Sequence, residues 1–341
     1  MFSSKSIVVT GGAGYVGSVL VDRLVNEKFN VKVIDSLVFG NDGISHLIDN
    51  NSIEFFNVDI RETNKIGEII ENSDCLIHLA AIVGEPLCKK IPNAAKQINE
   101  FATKNLVKLS KKNQVKQFIF ASTCSNYGSS LEIVNETSPV QPLSLYSECK
   151  VNSEKFILEQ NSQNFSTSIL RFATAHGLSS RMRFDLLVQE FIRDALIDKK
   201  ISIFGEDFWR PLIHVTDMVD ACLKIINNDF EKTSGQIFNV GSDKENYTKK
   251  QLAEIILEYL PETQIEIVKS KVDPRNYKVS FEKIQNSLKF NTQRTVRDSV
   301  IEILDQIKSG NIDPRDSEFS NMSKMTEKIK PLTNYQFDEN L

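Results

Sequence analysis

Apolar residues fall in short continuous blocks through the first half of the chain. The blocks are Ser6–Thr10, Val31–Asp35, Ile53–Asp59, Asp74–Ala80, Gln117–Thr123 and Phe165–Phe172. A strand with one wet face alternates apolar and polar residues, whereas a strand covered on both faces does not. These blocks therefore predict buried strands of a parallel sheet. Between the first two, Tyr15–Lys28 sets Val16, Val19, Leu20 and Leu24 at helical spacing. Further helices are expected to carry Asn99 and, after a loop holding Pro139 and Pro142, Tyr146. Strand and helix alternate to about residue 170, the order that lays helices on both faces of a sheet.

After Ala173 the rhythm changes. Arg181–Asp198 reads as one long helix, Ile201–Phe204 as a strand, and Gly205-Glu206-Asp207 as a turn. Gln236–Val240 reads as a return strand, and Thr248–Leu260 as a helix stopped by Pro261. The expected architecture is α/β: a Rossmann-type doubly wound parallel sheet with a smaller α/β C-terminal substrate-binding domain. Residues 1–173, with return segments near 212–242, would form the first. Residues 174–310 would mainly form the second, over the sheet edge where open α/β sheets bind ligands. Residues 311–341 are polar and read as a mobile tail or a surface strap.

Bulk composition adds exclusions. The net charge of −4 gives no reason to expect nucleic acid or an anionic membrane as a partner. No apolar stretch approaches the roughly 20 residues of a membrane span. The N-terminal residues lack the apolar core of a signal peptide. The five cysteines are scattered without a Cys-x-x-Cys pair, and the four histidines lack ligand spacing. Free thiols, a cytoplasmic location and no metal are expected.

Two motifs carry chemistry. Gly11-x-x-Gly14-x-x-Gly17 follows a predicted strand and opens a predicted helix. There Gly11 permits a tight turn, Gly14 admits a pyrophosphate to the backbone, and Gly17 lets helix and strand approach. A glycine turn of any α/β protein is the competing reading. Asp35, ending the second strand, decides for a dinucleotide: a carboxylate there accepts from ribose hydroxyls and repels a 2′-phosphate, favouring NAD over NADP. Asp59-Ile60 ends the third strand and either meets the adenine or merely caps the strand. Tyr146 and Lys150 stand four residues apart and share a helix face. An ammonium beside a phenol favours the phenolate. Thr123, ending a buried strand, would hold a substrate oxygen beside Tyr146. Asn99 either ties this network together or is an ordinary polar helix residue.

Together these segments resemble an extended short-chain dehydrogenase/reductase of the NAD-dependent epimerase/dehydratase family, which acts on nucleotide sugars. The resemblance runs through Thr10–Ser18 with Tyr15 and Val16, Asp35, Asp59-Ile60, His78-Leu79-Ala80-Ala81, Asn99, Ser122-Thr123, Tyr127-Gly128, Tyr146/Lys150 and Arg210-x-x-Ile213-His214-Val215. It implies catalysis by Thr123, Tyr146 and Lys150, with Leu79, Ala80, Ala81 and Asn99 joining the NAD site. It also implies that Arg210 and Arg275 hold the nucleotide diphosphate, the competing reading for each being a surface arginine. A homodimer built on the Asn99–Lys112 and Tyr146–Gln160 helices follows from the same resemblance.

Departures narrow the chemistry. The family's sugar dehydratases carry Asp-Glu after the catalytic Thr, and here Cys124-Ser125 stands there. Thr174 replaces a substrate-facing Asn. The Arg181–Leu186 segment replaces an Asn- and Pro-rich stretch, so its two arginines, Arg181 and Arg183, join either the phosphate or sugar site or a helix-start charge cluster. It and the Val83–Lys89 loop look more like GDP-heptose 4-dehydrogenase-type members. Cys124 and Cys149 read as packing residues, while His176 either faces the sugar or is packed. The expected function is NAD-dependent nucleotide-sugar epimerisation at C4, the alternatives being a 4-dehydrogenase, a 4-keto reductase or a non-catalytic NAD binder.

Overall fold

Seven strands form one parallel sheet: β1 (Ser6–Thr10), β2 (Asn30–Asp35), β3 (Glu54–Asn57), β4 (Cys75–His78), β5 (Gln117–Thr123), β6 (Ser166–Phe172) and β7 (Gln236–Val240). They lie in the order β7-β6-β5-β4-β1-β2-β3. The structure is a computed structural model describing residues 5–269, 275–324 and 333. Asp273-Pro274, and the tail beyond residue 324 apart from Thr333, lie outside the described residues. The chain runs outward from β1 to β3, then returns to β4 on the other side of β1. That reversal opens a crevice at the carboxyl ends of β1 and β4. Ile7, Val8, Leu76, Phe118 and Phe120 are fully buried, as strands covered on both faces require. β3 is shorter than its apolar block because it is an edge strand with β2 alone as partner.

Helix α1 (Tyr15–Asn26) and the helix Val215–Ile226 cover one face, packing Leu20, Val21 and Leu24 with Met218, Val219 and Cys222. The helix Thr63–Ile70, α2 (Thr103–Lys112) and α3 (Leu145–Gln160) cover the other, through Ile66, Leu106, Val107 and Ile157. A third apolar core lies beside the sheet. It joins Val188 and Ile192 of α4 (Leu187–Ile197), Ile201 and Ile203, Leu252 and Ile256, and Val300 and Ile303. Thr174–His176 leaves β6 and pairs with Trp209–His214, leading from the sheet to this third core. Among the described residues no helix is long and apolar enough to cross a membrane.

The long helix expected over Arg181–Asp198 begins only at Leu187. The preceding residues form a loop because distant groups bind them. The Phe184 N–H donates to the Phe319 carbonyl at 2.8 Å, and Arg183 pairs with Asp185 at 2.8 Å. Periodicity cannot register a partner 135 residues away. The described part of the polar tail is the other half of that contact. Phe319 packs edge-on against Phe184, with ring centres 5.9 Å apart. The Asn321 N–H donates to Asp185, and Lys324 Nζ donates to the Phe39 carbonyl, both at 3.1 Å. This stretch is a strap against the body of the protein.

Candidate active site

Gly11 turns the chain out of β1 with φ +75°, a conformation that favours glycine. A Cβ there would stand 2.7 Å from the Ala80 nitrogen, and one on Gly17 would stand 2.1 Å from the Gly11 oxygen. Backbone on both sides explains the spacing of the motif. Gly14 caps α1 without a side-chain bond, so the helix opens toward the crevice with its first-turn amides uncapped. An anion fits there. Asp35 is nearby, its Oδ2 accepting from Ala13 N–H at 3.0 Å and its Oδ1 from Leu37 N–H at 2.9 Å. Burial pushes this carboxyl up, against the two backbone N–H groups and Arg181.

A cleft of about 370 Å³ joins this cradle to the ends of β5 and β6. Its wall includes Gly11, Gly14, Tyr15, Val16, Gly17, Asp35, Asp59, Ile60, Leu79, Ala80 and Ala81, then Thr123, Tyr146, Lys150, Thr174, Arg183 and Arg275. Gly11 and Arg275, 264 positions apart in sequence, meet there. The cradle, Asp35 and the apolar wall fit a dinucleotide. Asp59 is already engaged, holding the Arg61 guanidinium at 2.7 Å.

Thr123 accepts from Ser125 N–H at 3.1 Å and caps the short turn Cys124–Tyr127. Tyr146 lies in the first turn of α3, whose start is fixed by Ser144 and Ser147 in a capping box. Lys150 is 2% exposed and donates to the Ala121 carbonyl at 2.7 Å. Its ammonium sits 4.4 Å from the Phe120 ring centre and 5.8 Å from that of Tyr146. Burial pushes the Tyr146 phenol above its ordinary range, Cys88 adds to this, and Arg183 opposes it. The cation opposing this rise is Arg183, while Lys150, though near the ring, gives its hydrogen bond to Ala121 rather than to the phenol.

Burial pushes the Lys150 ammonium itself down, to about 8 from 10.5. A folded value below the unfolded one means that the unfolded chain binds the proton more tightly. The resulting cost is full below pH 8 and vanishes above about pH 10.5. Lys150→Met in cofactor-free protein is accordingly expected to gain on the order of 2 kcal/mol at pH 7, after loss of the Ala121 bond. The gain should fade as pH rises from 8 to 10.5. Urea melts of both proteins across that range check it, and a loss of stability at pH 7 would contradict it.

Two expected residues stand behind the wall rather than in it. Asn99 is buried and clamps Ile82, accepting from its N–H at 2.8 Å and donating to its carbonyl at 2.9 Å. It shapes the Ala80–Ile82 lining from outside the cleft. Arg210 is also buried and donates to the carbonyls of Trp209 (2.7 Å) and Arg275 (2.5 Å). It braces Arg275, which does line the cleft. His176 is packed rather than sugar-facing: it is fully buried, 2.7 Å from Ser299 Oγ and edge-on to His214. His214 caps the helix Val215–Ile226 and meets Glu302 at 2.7 Å. All five cysteines are buried free thiols. Cys124 turns into the core and donates to the Arg171 carbonyl at 3.1 Å.

Arg181 and Ser125 also line the cleft, and two lining residues were not singled out from sequence: Phe39 and Asn321. The tail residue gave no signal, since its partners lie far back in the chain. Beneath Thr123 lies a buried ion pair, Glu154–Arg171 at 2.6 Å with both side chains at most 5% exposed. Ser122 Oγ and Asn126 Nδ2 donate to Glu154, and Arg171 donates to Tyr127, which donates to Asn239 at 2.8 Å. A second buried chain runs Thr10–His78–Thr103 at 2.7 and 2.9 Å. Burial, then Lys150, pushes His78 down to about 3, so it stays neutral.

The sequence profile of the NAD dependent epimerase/dehydratase family matches residues 7–241. The chain belongs to the NAD-dependent epimerase/dehydratase family. It is therefore an enzyme, and NAD is its cofactor. Among similar family members is a putative UDP-glucose 4-epimerase of Methanocaldococcus jannaschii, 29% identical over 245 residues, 70% of this chain and 77% of that one. Another is a UDP-N-acetyl-alpha-D-glucosaminuronate decarboxylase of Bacillus cytotoxicus, 28% identical over 251 residues, 71% of this chain and 76% of that one. A solved UDP-glucuronic acid 4-epimerase from Bacillus cereus, in complex with UDP-glucuronic acid and NAD, superposes with TM-score 0.80 at 26% identity. That match covers 89% of this chain and 99% of the other.

Proposed function

We propose that this enzyme is a nucleotide-sugar 4-epimerase acting on a UDP-sugar through a transient 4-keto sugar. The observation that carries the reading is that Thr123, Tyr146 and Lys150 share one cleft wall with the glycine cradle. Tyr146 takes the proton of the C4 hydroxyl and later returns it. Thr123 accepts from Ser125 N–H with one of its two lone pairs, and its O–H donates to the sugar oxygen. Lys150 lies against Ala121 and Phe120, placed to bind the nicotinamide ribose. Bound NAD supplies the acceptor for the C4 hydride and the donor that returns it to the opposite face. Arg183 and Arg275 hold the diphosphate, as planar guanidinium groups suit bidentate phosphate contact, and Thr174 contacts the sugar. The UDP-sugars named for the relatives support the choice of base.

A 4,6-elimination would need an acid and a base after Thr123. Cys124 faces the core, with its thiol pushed up by burial, and Ser125 offers only a hydroxyl. Epimerisation needs neither group. Incubation with UDP-glucose, UDP-glucuronic acid and their N-acetylamino counterparts is expected to yield a C4 epimer of one of them, with no net change in NADH absorbance. One NADH formed per sugar consumed would instead make the protein a 4-dehydrogenase.

A further inference from the structure

The polar strap closes over the same cleft. Asn321, on the strap, lines it, and so does Arg181, on the loop that the strap grips. Both residues are only 6% exposed. Each carries one buried polar atom without a protein partner, Arg181 Nη2 and Asn321 Oδ1. A buried donor and a buried acceptor left unpaired each cost stability. A ligand that offers both an acceptor and a donor removes both costs at once.

Their place in the cleft names the ligand. The Arg181 guanidinium lies 5.1 Å from the centre of the Phe39 ring, four residues past Asp35. Lys324, three residues beyond Asn321, holds the Phe39 carbonyl at 3.1 Å. This is the end of the cleft beyond β2, where Asp35 would face a ribose. The other strap and loop charges are paired among themselves, Arg183 with Asp185 and Lys324 with Glu318. Arg181 makes no salt bridge with any of them, and its Nη2 has donors to offer an anion.

We infer that Arg181 and Asn321 form an adenosine-phosphate subsite, in which the guanidinium donates to the adenosine-side phosphate of NAD and the Asn321 carbonyl accepts from an adenosine O–H or N–H. The strap is then part of the cofactor site rather than a surface ornament. It adds contacts that slow release of the dinucleotide. An epimerase that returns its hydride gains from such retention, since NAD is neither consumed nor exchanged in a turnover. The inference rests on NAD being the cofactor.

The test uses the full chain loaded with NADH, followed by its fluorescence during a chase with excess NAD⁺, and separately the affinity for 5′-AMP. Asn321→Ala and Arg181→Lys are each expected to speed NADH release about tenfold, or about 1.4 kcal/mol, and to weaken 5′-AMP by a similar factor. Phe319→Ala, which loosens the strap from outside the cleft, should also speed release. Release rates and 5′-AMP affinity within twofold of the parent in both Asn321→Ala and Arg181→Lys would overturn the inference, whatever Phe319→Ala does. A parent protein that binds no NADH would overturn the cofactor reading itself. Melting of cofactor-free Asn321→Ala separates the readings further: the subsite leaves it unchanged or raised, whereas a strap residue that merely braces the fold lowers it without altering 5′-AMP binding.

Discussion

Tyr146→Phe is expected to cut kcat by about 10³-fold with little change in substrate affinity. The substitution keeps the ring, and so the packing of α3 against the cleft, while removing the one O–H that can shuttle the C4 proton. General acid–base groups of this kind contribute roughly 10²–10⁴-fold. Because the removed interaction acts mainly in the transition state, the loss should fall on kcat rather than KM. Steady-state kinetics with the preferred UDP-sugar check this, alongside an NADH titration showing that the cofactor site is intact. Near-normal turnover would remove Tyr146 from the chemistry.

The largest effect on stability should come from Arg171→Met. Arg171 and Glu154 are paired at 2.6 Å where neither is more than 5% exposed, so removing one strands the other's charge. Breaking a buried pair in this way costs about 3–5 kcal/mol. For a chain of this size that lowers the melting temperature by about 4–7 °C. Turnover should fall as well, because Glu154 also holds Ser122, which precedes Thr123 on β5. The double variant Glu154→Leu/Arg171→Met should recover much of the stability, since apolar replacement of both partners is often tolerated. Full recovery is not expected, because Asn126 and Tyr127 would lose their partners. A single variant that melts with the parent would show the pair to be dispensable.

The parts of this enzyme that were legible in sequence are local. The continuous apolar blocks, the Gly11–Gly17 spacing and the Ser144 start of α3 each depend on neighbours within a few residues. β1, β5 and β7 match their predicted bounds residue for residue. Where prediction and structure diverge, a distant partner intervenes. The loop through Arg181–Leu186 looked helical because its residue types permit a helix, but Phe319 and Asn321 hold it in a turn instead. Asn99 and Arg210 were placed on ligands by resemblance, and they serve backbone carbonyls and amides just behind the wall. The Lys150 charge was assigned to Tyr146 from their four-residue spacing. Spacing fixes the shared helix face but not where a long side chain finds its hydrogen bond.

The sequence by itself determined the sheet strands and the glycine turn that opens α1, and it named the residues proposed for catalysis, because turn chemistry and element patterning are short-range. Tertiary structure alone decided where the Lys150 ammonium finds its hydrogen bond, which arginines line the cleft, and that the polar tail returns to it. Those outcomes depend on burial and on contacts between residues far apart in the chain, and desolvation has no signature in a linear pattern.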